Sequence, residues 1–194
     1  MELRFIIDAE TDGLYGPLLT VAILVTDQSG QEIASFYGGL PSNIASIKDV
    51  WVLENVLPVI GDYQPFETEE ALFEEVWTWW DTYRQRAICF ADVLFPVESN
   101  LFHKMVEYDR KKRTFQGPYP FIDISSLLYA KGIPPQVNRL ELCPEFVGNL
   151  HNARDDVRLS AVLLNRLLNG EEDVLSRRTA FKQKSKRSAP LYRD

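Results

Sequence analysis

Two apolar runs open the chain, Leu3 to Ala9 and Leu18 to Thr26, separated by a short segment that holds the Asp12-Gly13 breaker. Both are rich in β-branched residues and bounded by turn formers, so they read as buried strands, and a chain that begins this way must build a sheet with both faces covered. Asp27-Gln28-Ser29-Gly30 has turn chemistry and Gln31 to Tyr37 alternates, which predicts a β-hairpin with a four-residue connection.

The periodicity then changes. Leu72, Phe73, Val76, Trp79 and Trp80 recur at helical spacing within Thr68 to Tyr83, and acids occupy the first turn of that segment. Arg86 to Ala91 reads as a fourth strand. Pro96 opens a helix whose stripe is Leu101, Phe102, Met105 and Val106, followed by the charge run Asp109 to Arg113. Phe121 to Ile124 reads as a short fifth strand leading into Ser125 to Ala130, stopped by Gly132-Ile133-Pro134-Pro135. Asn152 is placed to cap a last helix with the stripe Val157, Ala161, Leu164 and Leu168, ending near Gly170. Three opening strands, a helix, then two further strands alternating with helices predict an α/β protein with a mixed sheet and helices on both faces. Its 194 residues, 45% of them hydrophobic, suffice for one domain, expected over 1–170. After Gly170 no apolar period survives, and 171–194 is expected to be a poorly ordered basic tail.

Charge sharpens the functional classes. The net charge is −7, but Arg177 to Asp194 holds seven basic residues and one acid, so residues 1–176 carry 14 basic and 27 acidic residues, a balance of −13. A nucleic-acid role must therefore rest on a local site rather than on a general basic surface. No apolar run reaches the ~18 residues of a membrane span, and the acids of MELRFIIDAE interrupt what a signal peptide would need, so neither a membrane nor a secreted protein is expected. Two cysteines, Cys89 and Cys143, form neither a disulfide framework nor a zinc motif, and a reducing cytoplasm is the expected compartment.

Three segments hold residues suited to chemistry. Asp8 and Glu10 lie at i and i+2 on a strand, so their carboxylates project to one side, where a divalent cation can offset their repulsion; solvated acids at a strand end are the competing reading. His151 and Asp156 are five residues apart and share a site if His151 lies on the loop before the last helix and Asp156 on its first turn, although Asp155 and Asp156 also suit a helix N-terminus. Asp92 ends the fourth strand and Glu98 lies in the first turn of the next helix, so either can face the same sheet end as Asp8. The second histidine, His103, lies on a striped helix and reads as a packing or surface residue.

In this order the segments resemble the DEDDh exonucleases of the ribonuclease H-like superfamily, which includes the proofreading epsilon subunit of bacterial polymerase and ribonuclease T. DAETDGL, Asp8 to Leu14, resembles the first motif, an Asp-x-Glu followed by Thr, Gly and an apolar residue. HNARDDV, His151 to Val157, resembles the third, His-x-Ala-x-x-Asp, and its spacing selects Asp156 over Asp155. Phe121-Ile122-Asp123-Ile124 resembles the strand between the second and third motifs, with Asp123 structural. The second motif departs from the usual Asn-x-x-Phe-Asp: Glu98 opens the helix, with Leu101 and Phe102 at the family's apolar offsets, and Asp92 lies upstream. Asp12 replaces the usual second Thr, adding negative charge near the expected terminal nucleotide.

The resemblance implies 3′-to-5′ removal of nucleoside 5′-monophosphates from single-stranded DNA or RNA. It implies two divalent cations, Mg²⁺ or Mn²⁺, held by Asp8, Glu10, Asp156 and either Glu98 or Asp92, with neutral His151 as general base. Thr11 and Gly13 are expected to meet the 3′ end and Leu14 to pack on a base, with Lys104, Arg110 and the basic run to Arg113 attracting upstream phosphates. The alternatives are a nuclease-like module that binds without cutting, and an end-trimming accessory subunit docked in a larger nucleic-acid-processing complex through Trp51, Trp77, Trp79 or Trp80. Ribonuclease T-like members are dimers, which leaves a homodimer open here, but no two-fold interface is legible in the sequence.

Overall fold

The computed structural model describes residues 2–170; the tail at 171–194 lies outside them. Strands β1 (Leu3–Thr11), β2 (Leu18–Thr26) and β3 (Glu32–Gly39) form an antiparallel meander, and β4 (Gln64–Pro65) adds two residues parallel to β3 at the edge. On the other side of β1, β5 (Ala87–Ala91) and β6 (Phe121–Asp123) pair in parallel, giving the order β4-β3-β2-β1-β5-β6. The five expected strands are all present, and β4 is the addition. Every residue of β2 is buried, as its unbroken apolar run requires of a central strand. At the β2–β3 turn the Asp27 carboxylate accepts from the Ser29 and Gln31 amides at 2.8 and 3.0 Å, and Gly30 takes φ 89°.

Eight α-helical segments and one short 3-10 turn (Leu57–Val59) are described: α1 (Pro41–Ile44), α2 (Val50–Asn55), α3 (Glu69–Tyr83), α4 (Val97–Tyr108), α5 (Arg110–Arg113), α6 (Ile124–Ala130), α7 (Arg139–Leu142) and α8 (Ala153–Asn169). Thr68 caps α3 and Asn152 caps α8, each accepting from the third residue on. The alternation of β1 sorts the core. Phe5, Ile7 and Ala9 pack with Leu72, Val76 and Trp80 of α3 and Leu101, Phe102 and Met105 of α4. Ile6 points the other way, with Ile124 and Leu128 of α6 and Val157, Leu163 and Leu164 of α8. Asp8 and Glu10 share the parity of Ile6 and so lie on the α8 side of the sheet.

The expected α8 stripe is corrected at one position. Leu168 is 47% exposed, and Leu167, nearer the centre of the buried face, takes its place. Helices α1, α2 and α7 have no clear apolar period in sequence: α1 opens on Pro41 with no side-chain cap, whereas Asp49 caps α2 and Asn138 caps α7. Val52 and Val56 fasten the α2 region to Leu19 and Ile60 in a small separate cluster. Among the described residues no helix is long and apolar enough to cross a membrane.

Candidate active site

The ladder between β1 and β5 ends at Ile6 and Phe90, leaving that edge of β1 open beyond this point. Glu98, in the first turn of α4, enters the gap and accepts from the Ala9 amide at 3.2 Å. Only 5% of Glu98 remains exposed, and its carboxylate is held between the strand positions that carry Asp8 and Glu10.

From the opposite face, the N-terminus of α8 brings the next pair. His151 lies just before the helix with φ 66°, and its backbone amide donates to Asp156 Oδ2 at 2.8 Å. One ligand-capable atom from each of Glu10, His151 and Asp156 falls within 4.8 Å of the others. Asp155 faces away, accepting from the Asn149 amide at 2.9 Å and lying 3.8 Å from Arg158. Loop and first helical turn thus place His151 and Asp156 together despite their five-residue offset.

Asp92 lines the same cavity, but its carboxylate is engaged. Arg139 Nε donates to Asp92 Oδ1 and Oδ2 at 3.0 and 2.9 Å, and the rest of the guanidinium donates to Ser125 Oγ and to the carbonyls of Pro135 and Val137. The backbone carbonyl of Asp92 also accepts from Ser125. Asp123 is structural, capping α6 through Ser126 and accepting from the Leu94 amide.

Crowded carboxylates in a half-dry site resist ionisation. Burial, then the charges of Glu98, Glu10, Asp156 and Asp92, push Asp8 well above its usual range. Burial raises Glu10 to about 7, Glu98 to about 8 and Asp156 to about 8, with Glu10 adding repulsion at the latter two. Burial lowers the pKa of His151. Asp92 is also raised by burial, opposed by Arg139. These side chains surround a cavity of about 830 Å³ whose sole lining Lys or Arg, among the described residues, is Arg139.

Thr11, Gly13 and Leu14 line this cavity too. Thr11 Oγ1 donates to the Gly13 carbonyl at 2.7 Å, and Leu14 stands exposed at the rim. Lys104 lies in an adjoining cleft beside Thr11 and Leu14, 3.5 Å from Glu69. Arg110 is not brought to the cavity: Glu98 and Tyr108 are roughly 15 Å apart along α4 by helical rise, and Arg110 lies beyond, 3.3 Å from Glu107. His103 is a surface residue. Trp77 and Trp80 are core, and Trp79 packs on Phe36 and Tyr83. Trp51 alone of the four is exposed, at the cavity wall, its ring 4.8 Å from that of His151. Sequence reasoning did not reach Arg139 or the contact of Trp51 with His151; the Asp49 cap before Trp51 was the available local signal for α2.

No family model and no curated protein matches the sequence. Solved structures do. A 3′-exonuclease described in "3'-end specific recognition of histone mRNA stem-loop by 3'-exonuclease" superposes with a TM-score of 0.63 at 14% identity, over 88% of this chain and 83% of that one. The nuclease domain of 3'hExo, a DEDDh family member bound to rAMP, superposes with a TM-score of 0.61 at 16% identity, over 89% of this chain and 94% of that one. With the sheet order and helix placement described above, these likenesses establish that the chain has the ribonuclease H-like fold of the DEDDh 3′-5′ exonucleases.

Proposed function

We propose that the protein is a metal-dependent 3′-5′ exonuclease acting on single-stranded DNA or RNA ends, with residues 1–170 as its catalytic domain. The observation that carries this reading is the convergence of Asp8, Glu10, Glu98, Asp156 and His151, from three separate segments, on one cavity of this fold. The donor set suits hard cations: the carboxylates raise one another's pKa values, and the one lining guanidinium among the described residues is already paired with Asp92. Asp8, Glu10, Asp156 and Glu98 would hold two divalent ions, Mg²⁺ or Mn²⁺. When bound, such ions supply neutralisation of the phosphodiester charge and activation of water.

The chain's own residues would do the remainder. His151, neutral because burial lowers its pKa, accepts the proton of the attacking water. Thr11 and the backbone at Gly13 meet the terminal sugar, and Leu14 packs on its base. Glu98 serves as the second-motif acid, since its carboxylate is held against β1 whereas that of Asp92 is paired with Arg139.

The test uses purified protein, 5′-labelled single-stranded DNA and RNA of one sequence, Mg²⁺, Mn²⁺ or EDTA, and a His151→Ala variant. Stepwise shortening from the 3′ end that requires metal and collapses in the variant is the expected result. Intact oligonucleotides under every condition, with the fold verified by circular dichroism, would remove the catalytic reading.

A further inference from the structure

Asp12 stands at the β1–β2 turn, yet its carboxylate does not line the cavity. It accepts from two backbone amides some 36 residues away, Lys48 at 2.9 Å and Asp49 at 2.8 Å. Asp49 in turn accepts from the amides of Trp51 at 2.9 Å and Val52 at 3.2 Å, which sets the start of α2. The neighbouring Gly13 has φ 75°, and a Cβ on it would stand 3.2 Å from Asp49 Oδ2, so the turn and the helix start fit closely. Val52 and Val56 anchor the buried side of the segment on Leu19 and Ile60. The product is a Trp51 indole that is 52% exposed and still meets the His151 imidazole edge to face, centroids 4.8 Å apart at 80°. Among the described residues no hydrogen bond to its ring orients His151; its backbone amide is held by Asp156.

We propose that Asp12 and Trp51 are positioning residues: Asp12 fixes the start of α2 so that the Trp51 indole holds the His151 ring beside Glu10 and Asp156. A free imidazole on a left-handed residue can rotate about two side-chain bonds, and the indole edge contact removes part of that freedom. Asp12 acts at a distance, through the amides of Lys48 and Asp49. The charge that Asp12 adds near the first motif is thereby spent on backbone donors instead of facing a nucleotide. The inference rests on His151 being the proton acceptor proposed above.

Two measurements on the full chain test it. Steady-state kinetics with a 5′-labelled oligonucleotide would compare Asp12→Ala, Trp51→Ala, Trp51→Phe and the Asp12→Ala/Trp51→Ala double variant. Misplacement of the base is expected to lower kcat by about 10- to 100-fold with KM within about 2-fold. Trp51→Phe should retain most activity, and the double variant should be no worse than the worse single one, because both act through one contact. NMR of side-chain-labelled histidine, free of metal and substrate, gives an independent reading, with His103→Gln assigning the two signals. The His151 ring resonances should lose the indole's ring-current shift in Trp51→Ala and lose part of it in Asp12→Ala. A rise in KM at constant kcat would make Trp51 a substrate contact instead. Additive losses, or a His151 signal unmoved by Asp12→Ala, would overturn the link between them. If no form of the protein cleaves, the proposed function fails, while the NMR result still decides whether Asp12 and Trp51 orient the ring.

Discussion

Glu98 Oε1 accepts a hydrogen bond of 3.2 Å from the backbone amide of Ala9, the residue between Asp8 and Glu10. A carboxylate from one face of the sheet is thereby locked onto the strand that carries the other two, at the point where β5 has left β1. The bond also separates the two acids that the sequence leaves as alternatives. Above about pH 8, where Glu98 is ionised in the metal-free fold, Glu98→Gln keeps an acceptor for Ala9 and removes one of the repelling charges, so the variant in EDTA should melt at or above the wild-type temperature. Metal affinity or activity should nevertheless fall by at least about 10-fold. Asp92→Asn should do the reverse. It weakens the pair with Arg139 and should cost about 1–3 kcal/mol of stability while activity stays within a few-fold of wild type. Melting curves and metal titrations on both variants decide the matter; activity lost in Asp92→Asn and spared in Glu98→Gln would reverse the assignment.

The carboxylate cluster predicts an unusual pH dependence in EDTA. Glu10, Glu98 and Asp156 titrate at about 7, 8 and 8 in the fold, against ~4 in an unfolded chain. The native state therefore binds more protons than the unfolded state between these limits, and stability must fall as pH rises. The slope is about 1.4 kcal/mol per pH unit for each extra proton retained. The favourable contribution is complete below the unfolded values of ~4, declines as pH rises above them and is gone once pH passes the folded values of about 7 to 8. Mg²⁺ or Mn²⁺ should remove most of this decline by replacing the protons. A melting temperature that is flat or rising from pH 5 to 8.5 in EDTA would mean that these acids ionise independently.

For His151 the sign is opposite. Burial lowers its pKa, so the neutral, proton-accepting form persists to lower pH than for an ordinary imidazole near ~6.5. The rate at saturating metal should be level through neutrality and fall on acidification with a midpoint below that value. His151→Ala should reduce kcat by about 100- to 10,000-fold and abolish that limb. A limb that survives in the variant would belong to the carboxylates.

The parts of this site that were legible in sequence are those set by local geometry. Alternation placed Asp8 and Glu10 on one side of β1, and a cap at Asn152 put His151 before α8 and Asp156 within its first turn. The stripe of α4 likewise set Glu98 at a helix start. What escaped depends on contacts between distant segments. Nothing near Asp92 announces Arg139, 47 residues on, and nothing near Asp12 announces the amides of Lys48 and Asp49. Without those partners Asp92 keeps the rank of a free carboxylate and Asp12 that of an intruding charge. Arg110 follows the helix that bears Glu98, and helical rise carries it to the far end, away from the carboxylates, where only phosphates upstream of the 3′ end could meet it. The expected tail and a homodimer involve residues or copies outside the described chain segment.

Asn152 offers a last test, because it joins the fold to the site through both ends of its amide. Its oxygen accepts from the Asp155 amide at 3.2 Å, and its nitrogen donates to the carbonyls of Val59 and Ile60 at 2.5 and 2.9 Å. The residue is buried, so both halves act away from water. Asn152→Ala loses the cap, takes the amide donor from the half-buried Val59 carbonyl and leaves the Ile60 carbonyl with the Tyr37 hydroxyl, and it should cost about 1–3 kcal/mol. Asn152→Asp keeps the capping oxygen but turns a carboxylate towards the two carbonyls, so it should not restore stability. If it melts like wild type, the cap alone matters and the tie to Val59 and Ile60 is incidental. Because His151 is the preceding residue, both variants should also lower kcat, whereas Arg158→Ala, on the exposed side of α8, should not.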